Sequence, residues 1–381
     1  MPVSSSTTEG VSSMTGMSDI SRRRFLGTAA GAAGLALATA CGEVSPQSAA
    51  PSASKGGKLT LTMFAFLGGD LGKMPKEFAK EYMASHKNVE IKVYEQSNSV
   101  GYTKMLAQKK AAPDRPLVNF GFFNAQTSVQ GADDKMFTKL DYSAMSNAAD
   151  IDERFRYDDG IGIGIGIDQL GLLHNKQEIT QAPGSWADLW NHAHQGKVAF
   201  FSFPWYAVYM AAKLNGGGLE NMEPGWELWK REAKQIRLLV ESNPQYLNVL
   251  SNGTAPLTAY FAGTGQQWIN SGAPLTYVVP KEGAIPLPVN LQAVAGQSQS
   301  QLEAIHDIIN EMLSPKWCAR WAETSVEVPA NTKAELPGNL AGLPAFSKAT
   351  SDGFQQIDYG IVGRNNAEWQ KRWETDVASR I

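Results

Sequence analysis

An α/β fold in two lobes joined by a hinge is what this sequence predicts, and three observations predict it. Apolar runs of strand character alternate with helical stretches over residues 58–130, the pattern of parallel α/β layers. An isoleucine–glycine alternation within 157–176 reads as a long extended segment. The character of the chain changes after about 166 and returns near 290, so one lobe is inserted in the other and the chain crosses between them twice.

Taken in order, "KLTLTMFAF" at 58–66 alternates small polar and larger apolar residues and predicts a strand, followed by a helix over 74–85. A strand at 89–95, a helix at 102–111 and a strand at 116–123 come next, and Thr127 opens a further helix. In "YDDGIGIGIGIDQLGLLHNK", Ile161, Ile163, Ile165 and Ile167 share one face while Gly162, Gly164 and Gly166 leave the other bare. That bare face admits either a bulky core neighbour or a ligand. Ser185 and Asp188 stand at capping-box spacing before Trp186, Leu189 and Trp190. A buried strand at 196–203 leads into a helix that begins at Pro204 and ends in glycines at 216–218. The longest helical pattern runs over 223–242, with Trp226, Trp229, Ala233, Ile236 and Val240 on one stripe that reads as core. A helix at 264–272, a strand at 274–280, an extended segment at 285–296, paired helices at 300–313 and 314–324, and a last helix at 365–379 complete the pattern.

The chain has 381 residues, of which 43% are hydrophobic and 19% charged, enough for a large core and too polar for a polytopic membrane protein. With 34 Lys and Arg against 37 Asp and Glu it has no general attraction to a nucleic acid backbone. Its two cysteines, Cys41 and Cys318, cannot form a disulfide scaffold. Residues 1–40 read as an address. Ser21, Arg22, Arg23, Phe25 and Leu26 match a twin-arginine signal, and the apolar run after them is too short to stay in a bilayer. Ala38-Thr39-Ala40-Cys41 resembles the box cut before a lipidated cysteine, although Leu37 lies one place further upstream than the pattern has it. Residues 41–57, rich in Ser, Ala, Pro and Gly, form a linker with no apolar face. The expected placement is periplasmic or on the outer face of the cell membrane, with a lipid anchor at Cys41.

Signatures of chemistry are few. His192 and His194 are the close histidine pair, at a helix end and without cysteine or H-E-x-x-H companions, so no metal is expected. Ser52 and Lys55 have Ser-x-x-Lys spacing but lie in the linker, where no pocket lowers a lysine pKa. The glycine runs lack a phosphate-binding ending. Asp133-Asp134 and Asp158-Asp159 are the carboxylate pairs a secreted hydrolase would need. An exported chain with no visible nucleophile, metal cluster or nucleotide loop points to binding rather than catalysis, with no cofactor.

Several segments resemble the solute-binding proteins of bacterial ABC importers, of the polyamine and iron two-lobed type: "GIGIDQLGLLHNK" at 164–176, "SWADLWN" at 185–191, "GKVAF" at 196–200, "YVVPKEGAIPLPVN" at 277–290, "LSPKWCARWAE" at 313–323 and "VPANTKA" at 328–334. The resemblance implies a type II periplasmic-binding-protein fold with a central ligand cleft, lobe 1 at 58–166 plus 291–381 and lobe 2 at 167–290. It also implies a monomer that closes on a small organic solute and hands it to permease subunits without chemistry. Polyamine members carry an aromatic and an aspartate after "PKEG", where this chain reads Pro286-Leu287-Pro288-Val289-Asn290; iron binders use adjacent tyrosines, where it has Tyr260-Phe261. His174 replaces the family's tyrosine before Asn175. The expected ligand is therefore neutral, zwitterionic or singly cationic, opine-like or amino-acid-derived, with spermidine or putrescine as the alternative. Candidate contacts are Phe66 and Asn124 at strand ends, Asp168 at the first crossing, Trp205 and Tyr206 at a helix start, Tyr260, and Asn290 at the return crossing.

Overall fold

The computed structural model describes residues 57–67, 70–157 and 159–381. The twin-arginine segment, Cys41, the linker up to residue 56, the Ser52–Lys55 spacing and Asp158 lie outside the described residues. Strand β1 (Leu59–Phe66), helix α1 (Lys73–Ser85), β2 (Val89–Gln96), α2 (Asn98–Ala111), β3 (Phe120–Asn124), α3 (Ala125–Asp133) and β4 (Phe137–Thr138) precede a long strand, β5 (Ile163–Asn175). Then β6 (Val198–Phe201), α4 (Trp205–Leu214), α5 (Glu223–Glu232), β7 (Ile236–Val240), α6 (Asn243–Ser251), β8 (Leu257–Phe261), α7 (Ala262–Asn270) and β9 (Leu275–Val278) lead to a second long strand, β10 (Ile285–Val294). Helices α8 (Gln299–Met312) and α9 (Pro315–Ser325), strand β11 (Val328–Pro329), the short α10 (Gly338–Ala341) and α11 (Lys348–Asp352), and α12 (Tyr359–Asp376) follow.

The strands join in the order β2-β1-β3-β10-β5-β8-β6-β7. β1 pairs in parallel with β2 and β3, and β6 with β7 and β8. Between these parallel halves, β5 and β10 run antiparallel to each other, with Leu287 opposite Asp168 and Val289 opposite Gly166. β5 then continues, from Leu170 to His174, as the partner of β8. The same strand therefore serves both halves, and each half has its own core. One gathers Met63, Phe120, Ile163, Ile165, Ile167, Ile305 and Trp321; the other gathers Leu172, Phe200, Trp226, Trp229 and most of α4.

Local chemistry explains the boundaries. Asn124, rather than Thr127, opens α3: its side chain accepts from the Thr127 amide at 2.9 Å, satisfying one of the free donors at the helix start. The capping box at Ser185 and Asp188 forms, but on a single 3-10 turn, Trp186–Trp190. The helix expected over 223–242 is corrected. It stops at Glu232, and Ile236-Arg237-Leu238-Leu239-Val240 forms β7, because this largely apolar run, with β-branched Ile236 and Val240 buried at its ends, completes a parallel ladder with β6. Trp226 and Trp229 are buried as their stripe suggests. Helix α12 begins at Tyr359, ahead of the expected 365, capped by Asp358 through the Gly360 and Ile361 amides. Its Val362, Trp369 and Trp373 pack into the second core, while Asn366 accepts from Gln126 of α3 at 3.3 Å.

Candidate functional site

The crossing strands β5 and β10 have two faces, and side chains alternate between them. The glycines of β5 leave room for close neighbours, and the register shift between Val289 and Asn290 sets Gly164, opposite Asn290, on the other face from Gly166. A Cβ at Gly166 would overlap Trp321 Nε1 and Cδ1, and one at Gly164 would stand 2.9 Å from the Phe155 Cβ. The single bare face expected from the sequence is thus broken by the register shift, and each glycine is covered by a close neighbour. Asp168 follows on the Gly166 side, paired with Leu287, and its carboxylate accepts from the Gly263 amide at 3.1 Å and the Gln169 amide at 2.8 Å. Gly263 lies in the first turn of α7, so a helix start points its free donors at this acid.

A second acid, Glu327, lies on the same side. It is buried, and its Oε2 accepts from Trp321 Nε1 at 2.6 Å. Burial, opposed by the Gly263, Gln169 and Ala262 amides, pushes the Asp168 carboxyl up to about 6. Burial, followed by the charge of Asp168, pushes Glu327 well above the usual carboxylate range against the Trp321 hydrogen bond. Two neighbouring carboxyls in low dielectric do not both ionise at neutral pH. Burial thus raises both carboxyls, and the charge of Asp168 further opposes ionisation of Glu327. The same charge raises the phenols of Tyr277 and Tyr260, for both of which burial is the larger cause.

The residues singled out in the sequence do not all meet. Phe66, half-buried at the end of β1, packs edge-on against Phe64 with centroids 6.2 Å apart. Asn124 caps α3, as described. Trp205 starts α4 at 8% exposure, edge-on to Tyr206 and to Tyr359. Tyr206 packs on Phe200 in the second core. Tyr260 is fully buried, stacked on Trp268, with its hydroxyl donating to Asn243 Oδ1 at 2.7 Å. Asn290 lies with Pro286 and Pro288 on the face of β10 opposite to Leu287, and hence opposite to Asp168. It donates to Ser128 Oγ, which in turn donates to the Asn124 carbonyl, so these two asparagines share one network.

Glu327, Trp321 and the Gly263 amide were not singled out. The acid stands alone in "SVEVPAN", and only the fold carries it next to Asp168. The carboxylate pairs considered for hydrolysis are engaged elsewhere: Asp134 accepts from the Tyr102 hydroxyl at 2.5 Å and Asp159 from the Ile161 amide at 3.1 Å. His192 stands 3.2 Å from Glu232. Among the described residues, no three His, Cys, Asp or Glu side chains converge on a metal position, and no helix is long and apolar enough to cross a membrane.

Two half-sheets bridged by paired crossing strands, with an acid at the crossing, define a two-lobed binding protein. Residues 117–346 match the family described as bacterial extracellular solute-binding protein, and the chain belongs to that family. Comparison with curated proteins finds no match. Among solved structures, an ABC transporter protein from Clostridium perfringens is similar at 19% identity and a TM-score of 0.71, covering 84% of this chain and 100% of that one. The spermidine/putrescine ABC transporter substrate-binding protein PotD from Streptococcus pneumoniae is similar at 18% identity and 0.69, covering 85% and 100%. The Atu4243 GABA receptor is similar at 18% and 0.68, covering 83% and 96%. These likenesses establish the two-lobed periplasmic-binding-protein fold.

Proposed function

We propose that this chain is the solute-binding component of an ABC importer, which captures a small organic solute by lobe closure and delivers it unchanged to permease subunits. Lobe 1 comprises 58–166 and the return from 291, lobe 2 comprises 167–290, and α12 rides on the second core. The ligand carries at most one net positive charge and is zwitterionic, amino-acid-derived or opine-like. Two buried acids at the crossing, Asp168 and Glu327, carry this reading: burial and mutual repulsion oppose a second charge there, so the pair suits one ammonium, and a polyamine would bring further charges into the cleft with nothing to offset their lost hydration. Phe66, Asn124 and Trp205 are the proposed further contacts. The GABA receptor among the similar folds, named for a zwitterion, supports the same class. Twin-arginine export and a lipid on Cys41 complete the proposal, and the intact mass of the membrane fraction tests them; a soluble mature chain with unmodified Cys41 contradicts the anchor.

The test of the ligand class is calorimetric titration with 4-aminobutyrate, octopine and spermidine. Binding of one of the first two, with spermidine at least about tenfold weaker, is expected. Submicromolar spermidine binding overturns it in favour of the polyamine reading.

A further inference from the structure

Behind the crossing strands, on the face away from Asp168, is a cavity of about 340 Å³ walled by Arg156, Tyr157, Pro286, Pro288, Asn290 and Asp358. Asn290 is fully buried there. Its Nδ2 spends its hydrogens on Ser128 Oγ at 2.9 Å and Tyr157 Oη at 3.0 Å, and its Oδ1 has no partner. A buried acceptor left in that state costs free energy until a donor reaches it. The charged walls are complementary. Arg154 is committed to Asp152 and to the Ser351 carbonyl, whereas Arg156 has no carboxylate within salt-bridge distance among the described residues. Asp358 uses Oδ1 for the α12 amides, and its Oδ2 makes no hydrogen bond among the described residues. Phe155 and the two prolines supply apolar wall between them.

We propose that this cavity is a second small-molecule site, taking an amino-acid-sized zwitterion with an apolar side chain: its carboxylate on Arg156, its ammonium on Asn290 Oδ1 and Asp358. The size suits such a ligand, at the small end of ordinary pockets. The walls come from both halves of the molecule. Asn290 is tied to α3 through Ser128, whereas Gln355 bonds Tyr209 and Lys213 of α4, and Tyr359 meets Trp205. Lobe rotation about the crossing strands therefore changes the width of the cavity, and a ligand that fits one width better shifts the open–closed equilibrium. The coupling rests on the clamp reading above; the site itself does not.

Calorimetry with L-leucine as probe, beside isovalerate and isoamylamine, tests it on the wild type and on Asp168→Asn, Arg156→Gln and Asn290→Leu. L-leucine is expected still to bind Asp168→Asn, in which the cleft is weakened, and to bind Asp168→Asn carrying Arg156→Gln or Asn290→Leu at least about tenfold more weakly. The two half-probes are expected to bind wild type at least about tenfold more weakly than leucine. Arg156→Gln changes a half-exposed side chain and keeps the test valid if Asn290→Leu unfolds. The proposal is overturned if wild type shows no L-leucine binding at about 10 mM. It is equally overturned if Asp168→Asn abolishes that binding while Arg156→Gln keeps it, which would place the probe in the cleft.

Discussion

The Trp321 indole occupies the space that the missing side chain of Gly166 leaves beside β5, and from there its Nε1 donates to Glu327. Gly166, Trp321 and Glu327 are so fixed around the first crossing, and the charge of Asp168 helps to raise the Glu327 carboxyl that the indole holds.

Gly166→Val drives a branched side chain into that ring, and overpacking of this kind costs about 1–3 kcal/mol. Urea unfolding is the measurement. Gly184→Ala, where a Cβ meets nothing within 4 Å, is the control and is expected to leave the midpoint unchanged.

The ammonium proposed for the cleft needs Asp168 ionised, and burial holds that carboxyl at about 6. Affinity for a singly cationic or zwitterionic ligand is expected to rise as pH increases through about 6 and then level off. Asp168→Asn lowers affinity by at least about tenfold, or about 1.4 kcal/mol, and removes the rise. A flat wild-type profile between pH 5 and pH 8, both about two units or less from that midpoint, contradicts it.

Stability of the empty protein has the opposite slope at this site. Asp168 titrates higher in the folded chain than its ordinary 3.8, so the folded state holds more protons between those values and stability falls as pH rises through about 6. Glu327, also raised, extends the loss to higher pH. Chemical denaturation across this window is expected to show a Asp168→Asn chain that gains on the wild type as pH rises. A difference independent of pH refutes the assignment. His174, lowered by burial, acts the other way in acid and is common to both chains.

Trp205 lies against Tyr206 and Tyr359 at the start of α4. Trp205→Ala is expected to weaken the cleft ligand by at least about tenfold. Unchanged affinity with lowered stability returns this ring to packing alone.

Much of the fold was legible where one local signal dominated. The isoleucines of β5, the paired helices α8 and α9, and the capping box at Ser185 follow from spacing and caps that do not depend on distant contacts. Residues 233–240 were not, because Ala233, Ile236 and Val240 continue the helical stripe of Trp226 and Trp229; only the neighbouring β6 selects the strand. The site was legible to a smaller degree. Asp168 stands in the conspicuous run, whereas Glu327 reaches it through tertiary packing. Asn290 lies in β10, but its parity with Pro286 and Pro288 sets it on the far face from Asp168.

The central claim, a clamp that closes on its solute without converting it, is tested most directly by small-angle X-ray scattering on the protein with and without the ligand that copurifies with it and is identified by mass spectrometry. Contacts from both lobes favour the closed population, so the radius of gyration is expected to shrink on binding, with the ligand recovered intact. An unchanged radius together with a converted product would contradict the account.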